Sequence, residues 1–224
     1  MLLVTAATKK ELAAFLGTGD VLAKTVVNGR EVFCLSTGVG VINAASTLSA
    51  FLQSHPVSAV LNVGIAGSLD PNRLALGDLA LADREIWPEL GIRTDTGLEM
   101  RRLNFPLVNL QGKEIYETLD LDPVAGAGWG GVMLPPDWPR ETFLTVSGVS
   151  GTRRMAAELR DRYSAKMENM EGFALAFVSA KLDIPFLEVR SVSNVAGSRE
   201  KKDWDFPRAF KSLHRAGVQM FARF

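Results

Sequence analysis

Cysteine is almost absent from this chain: Cys34 stands alone among 224 residues. A single thiol excludes any disulfide within the chain and fits a reducing compartment; inside the apolar run VFCL it is expected to be small core filler. Histidine is nearly as scarce, with only His55 and His214, so no metal site is expected. Neither charge is in excess, since 25 Lys and Arg face 25 Asp and Glu, which removes the overall field that would hold nucleic acid or an anionic membrane. No apolar run reaches the roughly 18 residues of a membrane span. The N-terminal MLLVTAA lacks a basic flank and is too short for a secretion signal, so it is expected to be a buried first strand. The resulting expectation is a cytoplasmic protein with no membrane and no nucleic-acid partner. Repeats, charge blocks and linkers are missing too, so residues 1–224 are expected to form one domain, burying roughly 70 to 75% of the unfolded chain's surface.

What the chain does contain is a repeated passage from strand into glycine or small polar residues. Leu2 to Ala6 reads as a strand, and Thr8 as the cap of a short helix carrying Lys10, Glu11, Leu12 and Phe15. Glu11 then occupies the first helical turn beside a strand's C-terminal end, where open α/β sheets bind ligands; an acid there also suits the helix dipole. Val21 to Val27, the turn Asn28-Gly29-Arg30 and Glu31 to Ser36 read as a hairpin, which makes the sheet mixed. Ser36-Thr37-Gly38-Val39-Gly40 leads into VINAASTLSAFLQ, a strand, glycine loop and helix whose amides could hold an anion or a sugar hydroxyl; a tight turn with close helix packing accounts for the glycines equally well. Ala59 to Gly64 reads as a strand ending in the glycine-rich NVGIAGS, and two such loops on neighbouring strands would line a crevice.

Asp78 to Arg84 is a further strand. From Trp87 to about Arg140 the pattern dissolves into Gly, Pro, Asp and isolated aromatics, with GAGWGG and LPPDWP as landmarks, and reads as a substrate-side lid or as disordered. Order resumes with a strand at Phe143 to Val146, the loop SGVSGT, and a helix holding Met155, Leu159 and Arg160. Trp204 to Phe224, with Phe206, Phe210, Leu213, Val218 and Phe221, reads as a closing amphipathic helix. Alternating strands and helices predict an α/β fold, a three-layer α/β/α sandwich around a central mixed β-sheet.

The segment Met167 to Gly197 concentrates the polar groups. Glu171 opens a helical run made almost wholly of Ala, Phe, Leu and Val, where an ionised group is costly unless paired. The strand from Ile184 to Ser193 then places Glu188, Arg190, Val192 and Asn194 on one face by alternation. Singly, Glu171 could be a helix-start acid satisfied by amides, and Asn194 a strand-end turn residue.

Taken as an ordered set, STGVGVINAA, NVGIAGSLDP with LGDL, SGVSGT, NMEG and VRSVSNVAG resemble the nucleoside phosphorylase and nucleosidase superfamily. With REIWPELGIRT, the chain most resembles its futalosine hydrolase family. The resemblance implies that Glu171 takes the ribose 2′ and 3′ hydroxyls while Met170 packs on the sugar. It implies that Glu11, or Lys10 in the neighbouring alignment, lies at the acid that orients the attacking water, and that Thr37, Gly38 and Arg190 line the water or phosphate pocket. Asn194 would face the purine's N7 side, Gly151 and Thr152 would border the base, Gly67 would bind substrate, and Trp204 would cover the 5′ substituent. No cofactor is implied.

Breaking an N-glycosidic bond builds positive charge on the ribose and negative charge on the purine, so a carboxylate near one and a donor near the other stabilise the transition state. An asparagine at 194, unlike the aspartate usual in relatives that cleave methylthioadenosine or S-adenosylhomocysteine, offers both a donor and an acceptor and favours hypoxanthine over adenine. Few arginines lie near the N-terminal loops, which favours water over phosphate. The implied activity is release of hypoxanthine from futalosine in menaquinone biosynthesis. The alternatives are a methylthioadenosine/S-adenosylhomocysteine nucleosidase, a purine nucleoside phosphorylase, and a nucleoside-binding module without turnover. Futalosine's distal aromatic carboxylate implies a cation and apolar cover, with Arg93, Arg101, Arg102 or Arg199 and Trp87, Phe105 or Trp204 as candidates. A homodimer or larger homo-oligomer is the implied assembly.

Overall fold

A computed structural model describes residues 1–18, 23–95, 97–110 and 112–222. The chain runs β1 (Leu2–Ala6), α1 (Lys9–Leu16), β2 (Lys24–Val27), β3 (Arg30–Ser36), α2 (Val41–Leu52), β4 (Ala59–Ser68) and β5 (Leu79–Ile86). Five short strands follow: β6 (Ile92–Thr94), β7 (Gly97–Glu99), β8 (Val108–Leu110), β9 (Lys113–Ile115) and β10 (Thr118–Asp120). The chain then continues through α3 (Pro123–Gly130), β11 (Arg140–Thr145), α4 (Arg153–Tyr163), β12 (Met167–Asn169), α5 (Gly172–Lys181), β13 (Phe186–Val195) and α6 (Phe206–Met220).

The main sheet is mixed, in the order β10-β5-β11-β12-β4-β1-β3-β2, and β13 pairs with both β4 and β5. Strand alternation sorts the two cores. Leu2 and Val4 face α1, α3 and α6 through Leu12, Phe15, Ala127 and Ala216. Leu3, pointing the other way, joins Ala44 and Leu48 of α2 and Phe173 and Leu175 of α5. The expected three layers are therefore present. Among the described residues, no helix is long and apolar enough to cross a membrane.

Local signals act as expected at several ends. Thr8 and Glu11 form a reciprocal capping box on α1. Asn28 and Gly29, with φ of 49° and 79°, make the two-residue turn between Val27 and Arg30, which pair. Val21 and Leu22 of the expected hairpin strand lie outside the described residues, as does the end of the C-terminal segment at Phe224. Cys34 is buried in the core, where burial pushes its thiol up to about 11.

Four expectations need correction. NVGIAGS is strand rather than loop: β4 continues to Ser68 because β13 pairs along its whole length and β12 meets its end. The glycine passages after β3 and in β4 are not on neighbouring strands, since β1 lies between them. The stretch from Trp87 to Arg140 is ordered where described, folding into two hairpins, an edge strand and a helix. GAGWGG lies largely within that helix, α3, which Asp122 caps through the amides of Val124 and Ala125. Finally, α6 turns Ala209, Leu213, Ala216 and Met220 inward, leaving Phe206 and Val218 exposed.

Candidate active site

One cavity of about 530 Å³ opens where α1, β4, β12, β13 and the start of α6 converge. Eight of the site candidates named from the sequence border it: Lys10, Glu11, Gly67, Met170, Glu171, Asn194, Arg199 and Trp204. Thr37, Gly38, Gly151 and Thr152 do not. Their near neighbours Val39, Val149 and Ser150 do. Thr37 instead turns its hydroxyl to the carbonyls of Ala6 and Gly38, and Thr152 caps α4 through the amide of Met155.

Glu171 is the N-cap residue of α5, yet its side chain makes no cap bond. The caps come from elsewhere. Asn169 Oδ1 accepts from the amides of Glu171 and Gly172 at 3.0 and 2.7 Å, and Thr145 Oγ1 accepts from the amide of Phe173 at 2.7 Å. The Glu171 carboxylate is thereby released to the cavity, where Oε1 accepts from the Gly40 amide at 3.1 Å. Burial raises its pKa; Arg190 and the Gly40 amide oppose that rise.

Arg190 does not border the cavity. It is 1% exposed, with Nη1 3.4 Å from Glu171 Oε2 and Nε 2.8 Å from Glu188 Oε1. Burial alone would lower its pKa, but Glu188, Glu171 and Glu11 carry it above the ordinary value. Beyond Arg190 lies a second acid that composition did not single out. Glu85 is fully buried, bonded to Thr145 Oγ1 at 2.7 Å and to Asn169 Nδ2 at 2.7 Å. Glu188 lies across Gly172 from it: a Cβ on that glycine would fall 2.6 Å from Glu188 Oε2 and would collide with Glu85 Oε1. Burial and then the Glu188 charge raise Glu85 well above the carboxylate range. Glu188 Oε2 finds no hydrogen-bond partner among the described residues.

Glu11 combines the two roles the sequence left open. Oε2 accepts from Thr8 N and Oγ1 at 2.9 and 2.7 Å, completing the capping box. Oε1 accepts from the Ile65 amide at 3.0 Å, and the carboxylate still borders the cavity. Asn194 follows a register shift in β13 between Val192 and Asn194, so the simple alternation expected through this strand is broken at Ser193. Ser193 Oγ donates to Asn194 Oδ1 at 2.8 Å. One lone pair of the amide oxygen is thus used, and the NH₂ remains available as a donor.

Trp204, Phe206 and Phe210 also line the cavity, with Lys10 Nζ 4.7 Å from the Phe210 ring and Arg199 6.0 Å from the Trp204 ring, and Trp204 pairs with Asn194 through a single β-bridge. Of the distal candidates, only Arg199 and Trp204 border the cavity. Arg101 and Arg102 face Glu117 and Glu99, Trp87 packs on Phe173, and Phe105 is 60% exposed. Lys10, Phe206 and Phe210 were not among the distal candidates, because the meeting of α1 with α6 decides their place.

A model of the phosphorylase superfamily matches residues 4–224. The chain belongs to the phosphorylase superfamily. Within the superfamily it is 33% identical over 202 residues to futalosine hydrolase of Thermus thermophilus, across 90% of this chain and 86% of that protein. It is 27% identical over 194 residues to a 5′-methylthioadenosine/S-adenosylhomocysteine nucleosidase of Mycobacterium bovis, across 80% of this chain and 75% of the other. Two solved superfamily structures from Helicobacter pylori share the fold at TM-score 0.72 and 18% identity: the same type of nucleosidase with butyl-thio-DADMe-Immucillin-A, over 96% of this chain and 94% of that one, and a futalosine hydrolase mutant, over 96% and 95%.

Proposed function

We propose that this chain hydrolyses the N-glycosidic bond of futalosine, releasing hypoxanthine and dehypoxanthine futalosine, as a cytoplasmic homo-oligomer serving menaquinone biosynthesis. The observation that carries this reading is a single cavity with Glu171 and Asn194 in its walls and two cations beside aromatic rings in the same lining. Methylthioadenosine carries no charge beyond its sugar that would use Lys10 or Arg199, and S-adenosylhomocysteine carries a carboxylate there but no ring. An aromatic carboxylate uses both the rings and the cations.

In this reading Glu171 accepts from the ribose 2′ and 3′ hydroxyls and stabilises positive charge as the bond to the purine stretches. Asn194 donates through its NH₂ to the departing base. Glu11 Oε2 is filled by its two bonds from Thr8, but Oε1 accepts only from the Ile65 amide and keeps a lone pair, enough to orient a water and take its proton as it attacks the anomeric carbon. Arg190 is committed to Glu188, Glu171 and Asn169 and is not free to hold a phosphate dianion, which favours water as the nucleophile.

The test is purine release from futalosine, inosine and methylthioadenosine, with and without phosphate, by the wild type and Glu171→Gln. Hypoxanthine from futalosine without phosphate is expected, with kcat lowered about 10²- to 10³-fold by the substitution. Adenine release, or strict dependence on phosphate, would instead assign the chain to the nucleosidase or phosphorylase branch.

A further inference from the structure

Three residues stand in one row across the sheet. Glu168 of β12 pairs with Gly67 of β4 on one side, and Asn194 of β13 pairs with the same Gly67 on the other. Residues level with one another on adjacent strands project to the same face, and all three border the cavity. A Cβ on Gly67 would sit 3.2 Å from Asn194 Nδ2 and 3.4 Å from Glu168 Oε1. The absent side chain therefore leaves a slot with a donor on one flank and a carboxylate on the other.

Glu168 is 2% exposed and is aimed rather than loose. Ser150 N donates to Oε1 and Oε2 at 3.1 and 3.2 Å, and Ser150 Oγ to Oε2 at 2.6 Å. Oε2 is thus the more heavily engaged oxygen, and Oε1 is the one beside Gly67. Burial raises the Glu168 pKa, while the Ser150 bonds and the Arg199 charge work against that rise.

The geometry points to Glu168 as the residue that selects the purine's 6-substituent, by accepting the N1–H of a 6-oxopurine while Asn194 donates to the N7 and O6 side. This deepens the proposed reaction and rests on the purine lying against β4. Asn194 Oδ1 already accepts from Ser193 Oγ, so the buried carboxylate of Glu168 is the stronger acceptor for the N1–H of a 6-oxopurine. A 6-aminopurine presents an N1 lone pair to that carboxylate, leaving one acceptor facing another without a proton between them.

Binding of free hypoxanthine and free adenine, measured by calorimetry on the wild type and on Glu168→Gln, tests this without requiring turnover. The wild type is expected to prefer hypoxanthine by about 10- to 100-fold, and Glu168→Gln to abolish that preference while its melting curve shows it folded. Gly67→Ala supplies a second reading: its methyl fills the slot and should weaken both bases together. Equal binding of the two bases by the wild type, an unchanged preference in Glu168→Gln, or Gly67→Ala binding both bases like the wild type each overturns the assignment. A wild type that keeps the base preference but releases nothing from futalosine sinks the proposed reaction and leaves the role of Glu168 standing.

Discussion

The Arg190 guanidinium stands 3.4 Å from Glu171 Oε2 without itself bordering the cavity. It braces the carboxylate from behind, with Glu188 2.8 Å away on its far side. Removing this one cation leaves two buried acids without their shared counter-ion, and breaking such a pair costs about 3–5 kcal/mol. Arg190→Met should therefore lower unfolding stability by about that amount in urea titrations. A loss of well under 1 kcal/mol would mean that the buried acids had already been neutralised by protons, with Arg190 contributing little.

Much of the architecture is legible wherever the cause is local. Thr8 with Glu11, and Asn28 with Gly29, announce a helix start and a hairpin within four residues, and both are present. The glycines of NVGIAGS look like a loop because their strand partners, β12 and β13, lie about a hundred residues further on. The α3 helix hides behind Gly126, Gly128 and Gly130, although Asp122 followed by Pro123 is a proper start signal. At the site, Glu171, Glu11 and Asn194 could be found from residue type beside a strand or helix end. Glu168, Glu85 and Glu188 could not be given roles that way, since only the pairing of β4, β5, β11, β12 and β13 shows what each acid faces. The one available signal was an acid within a short apolar strand, which is costly unless it has a partner.

Glu85 predicts an unusual pH dependence. An acid whose pKa is higher in the folded than in the unfolded chain binds more protons when folded. Its contribution to stability is therefore complete below the ordinary carboxylate range and is lost as pH rises through the raised value. Burial and Glu188 raise Glu85 in this sense. Glu85→Gln cannot titrate, so whatever constant cost it carries, it should gain on the wild type as pH is raised from about 5 to about 8. Urea unfolding of both proteins at several pH values measures the difference. A gap that stays constant across the range would show that Glu85 in the folded protein is already ionised at about pH 5, as in the unfolded chain.

The wall between Lys10 and Phe210 depends on how closely α1 approaches α6. Gly217 permits that approach, because a Cβ there would collide with the carbonyl oxygen of Phe15. Gly217 lies two helical turns, about 10 Å, from Phe210 on α6, far enough that it touches no ligand. Gly217→Ala must push the helices apart or bend one of them, and overpacking of this kind costs about 1–3 kcal/mol. The displacement widens the gap between Lys10 and Phe210, whose ammonium and ring centroid now stand 4.7 Å apart. The expected outcome is a lower melting temperature together with a raised KM for a substrate that fills the aromatic end, while a purine nucleoside with a bare 5′ hydroxyl is affected less. Equal KM changes for the two substrates would show that the helices separate without opening this wall.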